Sequence, residues 1–304
     1  KLVCESLRDS GVTKLPEKEY GISKVIHDVL SAKNKKIAKM LDYNPNELLV
    51  QKAVDALVAA LIQKQSMWLA WNEAKNIVDQ IRPSMNRSTS LFEELIAEGV
   101  LFEEGTSGSH TNESQIRIGF ERFSEYLIAE KYLEGLNANT ISNAFENNGK
   151  LNFLVINQST MNSYKGILEA MAIQIPETFG IELNQVIQQH STNPVLYRAV
   201  TESIIWRTNS SITDNTKRVI RAYFSTPLDI EEAMNRNDAL LSVSTRVGNL
   251  LNIKWTHNIY VSTPMPERDS ILQPIWHSSF GKLGVFDRLL RWALKADIKN
   301  INAK

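Results

Sequence analysis

The chain has one cysteine, Cys4, among 304 residues, so no intrachain disulfide can form. That usage suits a reducing compartment and gives a cytoplasmic expectation. No apolar run approaches the length needed to cross a bilayer. The opening Lys1-Leu2-Val3-Cys4 is interrupted at once by Glu5, Arg8 and Asp9, which does not suit a signal peptide. Charge of one sign is also lacking: Lys+Arg and Asp+Glu are 34 each, a formal net charge of +0, which argues against a general polyanion binder. An initiator methionine is missing. "KLVCESL" reads as the middle of a helix and "WALKADIKNINAK" has no stop signal, so a piece of a longer polypeptide is expected.

Catalytic signatures are missing too. The sequence has no G-x-x-x-x-G-K-[ST], no G-x-G-x-x-G after a strand, no H-E-x-x-H, no C-x-x-C and no G-x-S-x-G. His27, His110, His190, His257 and His277 are scattered without metal-ligand spacing, and a metal site needs three or four convergent ligands. The expectation is a segment with no catalytic residue, no metal and no cofactor of its own.

What is present is 43% apolar and 22% charged, ordinary for a folded chain long enough for two domains. Residues 1–9 are helical in character, and Gly11, Pro16 and Gly21 punctuate a connector. Residues 22–41 place Ile22, Val25, Ile26, Val29 and Leu30 on one helical face, with Lys33, Lys35, Lys36 and Lys39 as a solvated side. Asn44 is a cap for a helix over 45–65, with Pro45 at its first position. Helices are predicted over 69–81 and 88–99, the second ended by Gly99. Strands are predicted over 100–104 and 115–120, around the polar loop 105–114. This order of helices, then strand, loop and strand, is that of a winged helix.

The second strand runs without a loop into "FERFSEYLIAEKYL", where Phe120, Phe123, Tyr126, Leu127 and Leu133 recur at helical spacing. The candidate groove-reading helix carries Glu93, Glu94 and Glu98. The wing carries Glu103, Glu104 and Glu113 before Arg117. Acidic residues there oppose phosphate, so no specific DNA binding is expected.

After residue 140 come helical segments at 140–147, 163–174, 179–190, 195–206, 213–224, 228–235 and 237–252. Asn193, Thr213 and Thr226 are candidate caps. A last amphipathic helix is predicted over 283–296. The fold class is mainly α: a winged-helix module with a small β wing, followed by an α-helical array. That array is an armadillo, HEAT or tetratricopeptide-like stack or a compact irregular bundle. Trp68, Trp71, Trp206 and Trp292 read as packing residues, and Glu267, Arg268 and Asp269 in "MPERDS" as a salt-bridged elbow.

Taken in order, "KLVCESLRDSGVTKLPEKEYGI", "SLFEELIAEGVLFEE" and "IRIGFERFSEYLIAEKYL" resemble the region just after the nucleotide-binding core of bacterial NACHT/STAND NTPases of the antiviral type. Phe120, Phe123, Glu125, Tyr126, Leu127 and Ala129 match that family's F-x-x-F-x-E-Y-L-A-A helix. "MPERDS" and "DRLLRWALKA" resemble elements of its helical region. The resemblance implies the end of a small helical domain at 1–44, a winged-helix domain at 45–137 and a helical sensor or scaffold at 138–304.

It also implies that the parent binds ATP/ADP and Mg through an upstream ATPase core, self-associates, and responds to a protein trigger such as a phage protein in defence signalling. Phe120 stands where the family's diphosphate-contacting histidine falls, with Arg117 as the nearby cation. Phe123, Glu125, Tyr126 and Leu127 form the lever helix of the switch. Two other readings remain: a free-standing helical interaction scaffold, and a winged-helix transcriptional regulator.

Overall fold

The computed structural model describes residues 21–84, 86, 89–105, 114–119, 121–191, 193–204, 206–216, 218 and 219. Over these residues the chain is mainly helical, with a small three-stranded antiparallel sheet. No helix among them is long and apolar enough to cross a membrane. The chain divides into two compact units, Lys1–Gly135 and Leu136–Lys304.

Among the described residues, the first element of the first unit is α1, Ile22–Leu41. Its apolar stripe is the one the periodicity marks, with Ile26, Val29, Leu30, Ile37, Ala38 and Leu41 buried. Asp42 stops the helix in a left-handed conformation at φ 52, its N–H bonding the Ala38 carbonyl. Asn34 lies inside the lysine run yet is 1% exposed. Its amide donates to the Pro45 carbonyl at 2.7 Å. Its oxygen accepts from the Tyr43 hydroxyl at 2.9 Å and from the Val50 N–H at 3.3 Å. Burial pushes the Tyr43 phenol up to about 12. One amide therefore satisfies groups from three successive segments, which a buried polar side chain must do to be tolerated.

The single helix expected over 45–65 is split. Asn44 caps as predicted, accepting from the Asn46 N–H at 3.0 Å, while Glu47 reaches back to the Asn44 N–H at 3.2 Å. The capped element is only the 3-10 turn Pro45–Glu47. Leu48 then turns left-handed at φ 53, and α2 starts afresh as Leu49–Lys64. Leu49, Val50, Ala53, Val54, Leu57, Val58 and Leu61 make its buried stripe. α1 packs along α2, so residue 44 lies inside the first unit.

The helix expected over 69–81 loses its first two residues to a strand. β1 is Leu69–Ala70 and α3 is Trp71–Ile81. α4, Leu91–Ala97, is shorter than the predicted 88–99 and buries Leu91, Phe92 and Leu95 completely. The Trp71 ring meets Phe92 edge-on at 5.2 Å. Gly99 ends α4 as predicted, at φ +67. The Gly99 N–H bonds the Ile96 carbonyl and the Val100 N–H bonds that of Leu95, the paired bonds of a Schellman stop. β2, Leu101–Glu104, and β3, Gln115–Ile118, follow, and α5 is Glu121–Leu133. The sheet order is β1-β3-β2, with Leu69 opposite Ile116 and Phe102 opposite Arg117.

The second unit contains α6 (Ile141–Phe145), α7 (Gln158–Ser163), α8 (Lys165–Phe179), α9 (Leu183–Val186) and α10 (Pro194–Ser203). α8 is its centre: every residue from Ile167 to Pro176 is buried, and α10 packs along it. Pro176 sits in the last turn, and Gly180 closes the helix with its N–H on the Pro176 carbonyl. α8 therefore runs past the expected end at 174. The helix expected over 179–190 shrinks to α9 and a 3-10 turn, Gln188–His190. Asn193 caps α10 as predicted, accepting from the Val195 N–H at 2.9 Å. Thr213 caps the turn after it, its Oγ1 accepting from the Thr216 N–H at 3.4 Å. The segments predicted beyond residue 219 lie outside the described residues.

A buried ion pair ties this unit together. The Arg207 guanidinium, wholly inaccessible, donates twice to Glu182, at 2.8 Å and 2.8 Å. Its Nε donates to Ser203 Oγ at 2.8 Å, and the Thr216 hydroxyl donates to Glu182 at 2.5 Å. Removing one partner strands a buried charge. Glu182→Ala is expected to destabilise the unit by about 3–5 kcal/mol, whereas Glu182→Leu with Arg207→Met should restore most of that loss. Urea denaturation of the three proteins measures both effects; a small loss in the single variant means that water reaches the pair.

Candidate functional site

The residues singled out by sequence cluster where β3 passes into α5. Gly119 makes the loopless junction possible. Its φ of +37 turns the chain left-handed, and its N–H bonds the Val100 carbonyl at 2.8 Å. A Cβ there would sit 3.5 Å from Phe123 Cδ1, an ordinary contact, so backbone conformation is what selects glycine. Phe123 thus packs close over the turn.

Beyond it, Tyr126, Leu127, Ile128 and Ala129 are all buried. Four consecutive buried residues are covered on more than one side. The expected single apolar stripe is therefore widened through Ile128 and Ala129, and α5 rests on α2 and β3. Glu125 is half-buried and engaged.

Arg117 stands on the outward face of β3, nearly half exposed. Its Nε bonds Glu104 Oε2 on β2 at 3.1 Å. An incoming anion would meet a guanidinium already paired, and would compete with that carboxylate. Phe120, Glu267, Arg268 and Asp269 lie outside the described residues. The structure therefore brings Phe123, Tyr126 and Leu127 to the junction and leaves Arg117 on the sheet surface.

α4, the element that would enter a DNA groove, offers Glu93 and Glu94 in its first turn and no basic side chain. Its C-terminal Glu98 is held by α1, accepting from Lys33 at 3.0 Å and from Lys36 at 2.8 Å. Burial alone would raise the Glu98 carboxyl, but the hydrogen bonds from Lys36 and Lys33 outweigh it and hold it below the usual range. Lys33, read as solvated, is thus a part-buried tether, while Lys35, Lys36 and Lys39 are exposed and Lys36 reaches Glu98 from the surface.

A second charged cluster joins three helices. His27 of α1 meets Glu130 of α5 at 3.0 Å. The hydrogen bond to Glu130 raises the His27 imidazole, with help from Asp28 and Asp55. Burial raises the Asp55 carboxyl of α2, against the field of Lys131.

In the second unit a cleft of ≈ 400 Å³ is lined by Phe145, Glu146, Asn147, Ile187, Gln188 and Gln189. It holds no set of convergent acid, base and nucleophile. Among the described residues, no three side chains of metal-ligating type come together.

Comparison with protein-family models, with curated proteins and with solved structures found no match to this chain.

Sequence reading missed β1 and the exposure of Trp68, which at 41% is on the surface rather than packed inside. The available signal was slight: "SMWLAW" alternates for only three residues before helical spacing takes over.

Two outcomes test this geometry. Gly119→Ala should cost about 1–2 kcal/mol, the penalty of a left-handed non-glycine residue, read as a lower urea midpoint. An unchanged midpoint would mean that the junction relaxes. His27 has a raised folded-state pKa, so its contribution is full below the ordinary value of about 6.5 and fades as pH climbs through the raised one. Both partners are largely exposed, so the contribution stays under about 1 kcal/mol. Wild type should therefore exceed His27→Gln in stability near pH 6 and match it near pH 8, by thermal melts across that range. A constant gap would show that the imidazole acts by packing alone.

Proposed function

We propose that this chain is the regulatory and sensor segment of a STAND-type NTPase: a winged-helix switch followed by part of a helical sensor, in a cytoplasmic defence-signalling protein. The observation that carries the reading is the order α2–β1–α3–α4–β2–β3 with the sheet arranged β1-β3-β2. That is the connectivity of a winged helix: helix, strand, two helices, then the wing hairpin pairing back on the first strand. The sequence reading named the module from the order of three helices, strand, loop and strand, and β1 supplies the strand that this reading did not contain.

The direct passage from wing into α5 supports the lever role. Gly119 fixes the exit angle and the buried run Tyr126–Ala129 makes the helix stiff where it leaves the sheet. A rigid-body switch needs such an element, since motion at one end must arrive at the other without being absorbed. Ligand sensing would bias a two-state equilibrium between a closed form held on the ATPase and an open, assembling form. The chemistry of ATP and Mg belongs to the upstream core in this proposal, and this segment hydrolyses nothing. Arg117 keeps a role toward nucleotide only if Glu104 yields it.

The acidic α4, with Glu98 tethered by α1, favours this reading over a DNA-binding regulator. Unequal helices of five, six, fifteen, four and ten residues favour an irregular bundle over a regular repeat in the second unit.

The test is the natural reading frame upstream of Lys1 and the intact mass of the native protein. A strand–P-loop–helix unit in frame is expected, and the whole protein should then assemble in an ATP-dependent way. A start codon at or just before Lys1 would overturn the proposal in favour of a free-standing scaffold.

A further inference from the structure

The cleft of the second unit has two walls. One is the end of α6 and the turn after it; the other is the end of α9 and the 3-10 turn Gln188–His190. α6 packs against α9, and a hydrogen bond ties the walls directly: Gln189 Nε2 donates to the Phe145 carbonyl at 3.1 Å.

The turn after α6 has little freedom. Asn148 is left-handed at φ 71. The Gly149 N–H bonds the Glu146 carbonyl at 2.8 Å, and the Leu151 N–H bonds the Ala144 carbonyl at 2.7 Å. A Cβ on Gly149 would collide with that Ala144 oxygen, so only glycine lets the chain press this closely on the helix end. Glu146 and Asn147 are therefore presented from a fixed backbone.

The lining has two parts. Phe145, Val186 and Ile187 are buried and make it apolar at the bottom. Its polar side chains are accessible and unspent. Among the described residues, no side-chain hydrogen bond or ion pair engages Ser142, Glu146, Asn147 or Gln188. Gln189 has given its N–H to Phe145, which leaves its carbonyl oxygen to accept. The lining carries one carboxylate and no cation. A volume of ≈ 400 Å³, apolar walls and a few placed polar groups are the usual make-up of a small-ligand site.

This balance selects the ligand. An anion would face Glu146 with no cation to offset it. A purely apolar ligand would strip water from these polar groups and give nothing back. A cation rich in donors meets both needs. An ammonium is a compact, strongly hydrated point charge. A guanidinium is planar and weakly hydrated, can lie against apolar side chains, and donates to a carboxylate through two parallel bonds.

We propose that this cleft binds a guanidinium group. Glu146 is its counter-ion, and the amide oxygens of Gln189, Asn147 and Gln188 accept its remaining N–H groups. The carrier is a small free molecule or an arginine side chain of a polypeptide, and the recognition chemistry is the same for both. The site stands on the second unit alone and holds whether or not the chain belongs to an ATPase switch.

Saturation-transfer NMR titrations of the 304-residue chain test it. The probes are ethylguanidinium, for a free carrier, and acetyl-Gly-Arg-Gly-amide, for a chain-borne one. Propylammonium is the control of equal charge. Saturable binding of at least one guanidinium probe is expected, clearly tighter than that of propylammonium, and the better probe identifies the kind of carrier. Glu146→Gln keeps the shape and removes the charge, and should weaken binding by about fivefold, the worth of an accessible ion pair. The Glu146 backbone holds the turn while its side chain is exposed, so circular dichroism of the variant should match wild type. Failure of both guanidinium probes to bind, equal binding of propylammonium, or unchanged affinity in Glu146→Gln would each overturn the proposal.

Discussion

One backbone hydrogen bond, from the Gly119 N–H to the Val100 carbonyl at 2.8 Å, closes the base of the β2–β3 pair. It joins the stop signal of α4 to the start of α5, because Gly99 and Val100 finish one helix where Gly119 prepares the next. It also sets the register of β2 on β3. Side chains alternate with period two, so a slip of one residue would turn Ile116 and Ile118 outward and bury Arg117. The apolar underside, the outward position of Arg117 and the exit angle of α5 all depend on this one pairing. Its two glycines serve it differently: Gly99 ends a helix and Gly119 bends a strand into one.

The second unit depends on a different kind of constraint. α8 is buried along ten consecutive residues, including Glu169 and Gln174, so polar groups must be satisfied inside. Glu169 and Glu202 share Lys165, at 3.4 Å and 3.8 Å, and Arg198 adds a bond to Glu202 at 2.6 Å. Burial works against the Glu202 carboxylate, yet a hydrogen bond shared with Glu169 and the bond from Arg198 hold its pKa below the usual range. With Glu182 and Arg207, two buried clusters anchor α10 and the residues after it. Such pairs give little net stability against an apolar replacement but heavily penalise misplacement, which suits irregular helices with few other ways to fix their positions.

What was legible in the sequence was local. Asn44, Asn193 and Gly99 act through backbone groups within a turn, and each does what its position implies. β3 was legible because its apolar and polar residues alternate, and β2 because an apolar run ends in a loop of turn formers. β1 was not, since a two-residue strand exists only because β3 offers its edge. Leu48 broke a helix that every neighbour favoured, and nothing in a leucine announces a left-handed conformation. The ties from Lys33 and Lys36 to Glu98, and from Arg207 to Glu182, span 65, 62 and 25 residues, and charge counts carry no such distances. Of the candidate site, the junction was readable from helical periodicity. The pairing of Arg117 with Glu104 was not, because it appears only when β2 and β3 are aligned.

The two faces of the sheet bear on how the proposed lever could work. The buried underside of the sheet and α5 move as one body if they move at all, since Ile116, Ile118 and Tyr126–Ala129 are all packed. In the proposed switch, sensing would therefore act on surfaces that are free to differ between states. Arg117 and Glu104 form such a surface, an exposed pair worth little by itself and easily exchanged. A ligand that occupies the outward face in only one state shifts the equilibrium by its difference in affinity between the two, and by nothing more. A rigid core behind an adaptable face lets weak surface contacts bias the position of a stiff helix, with no change inside the fold.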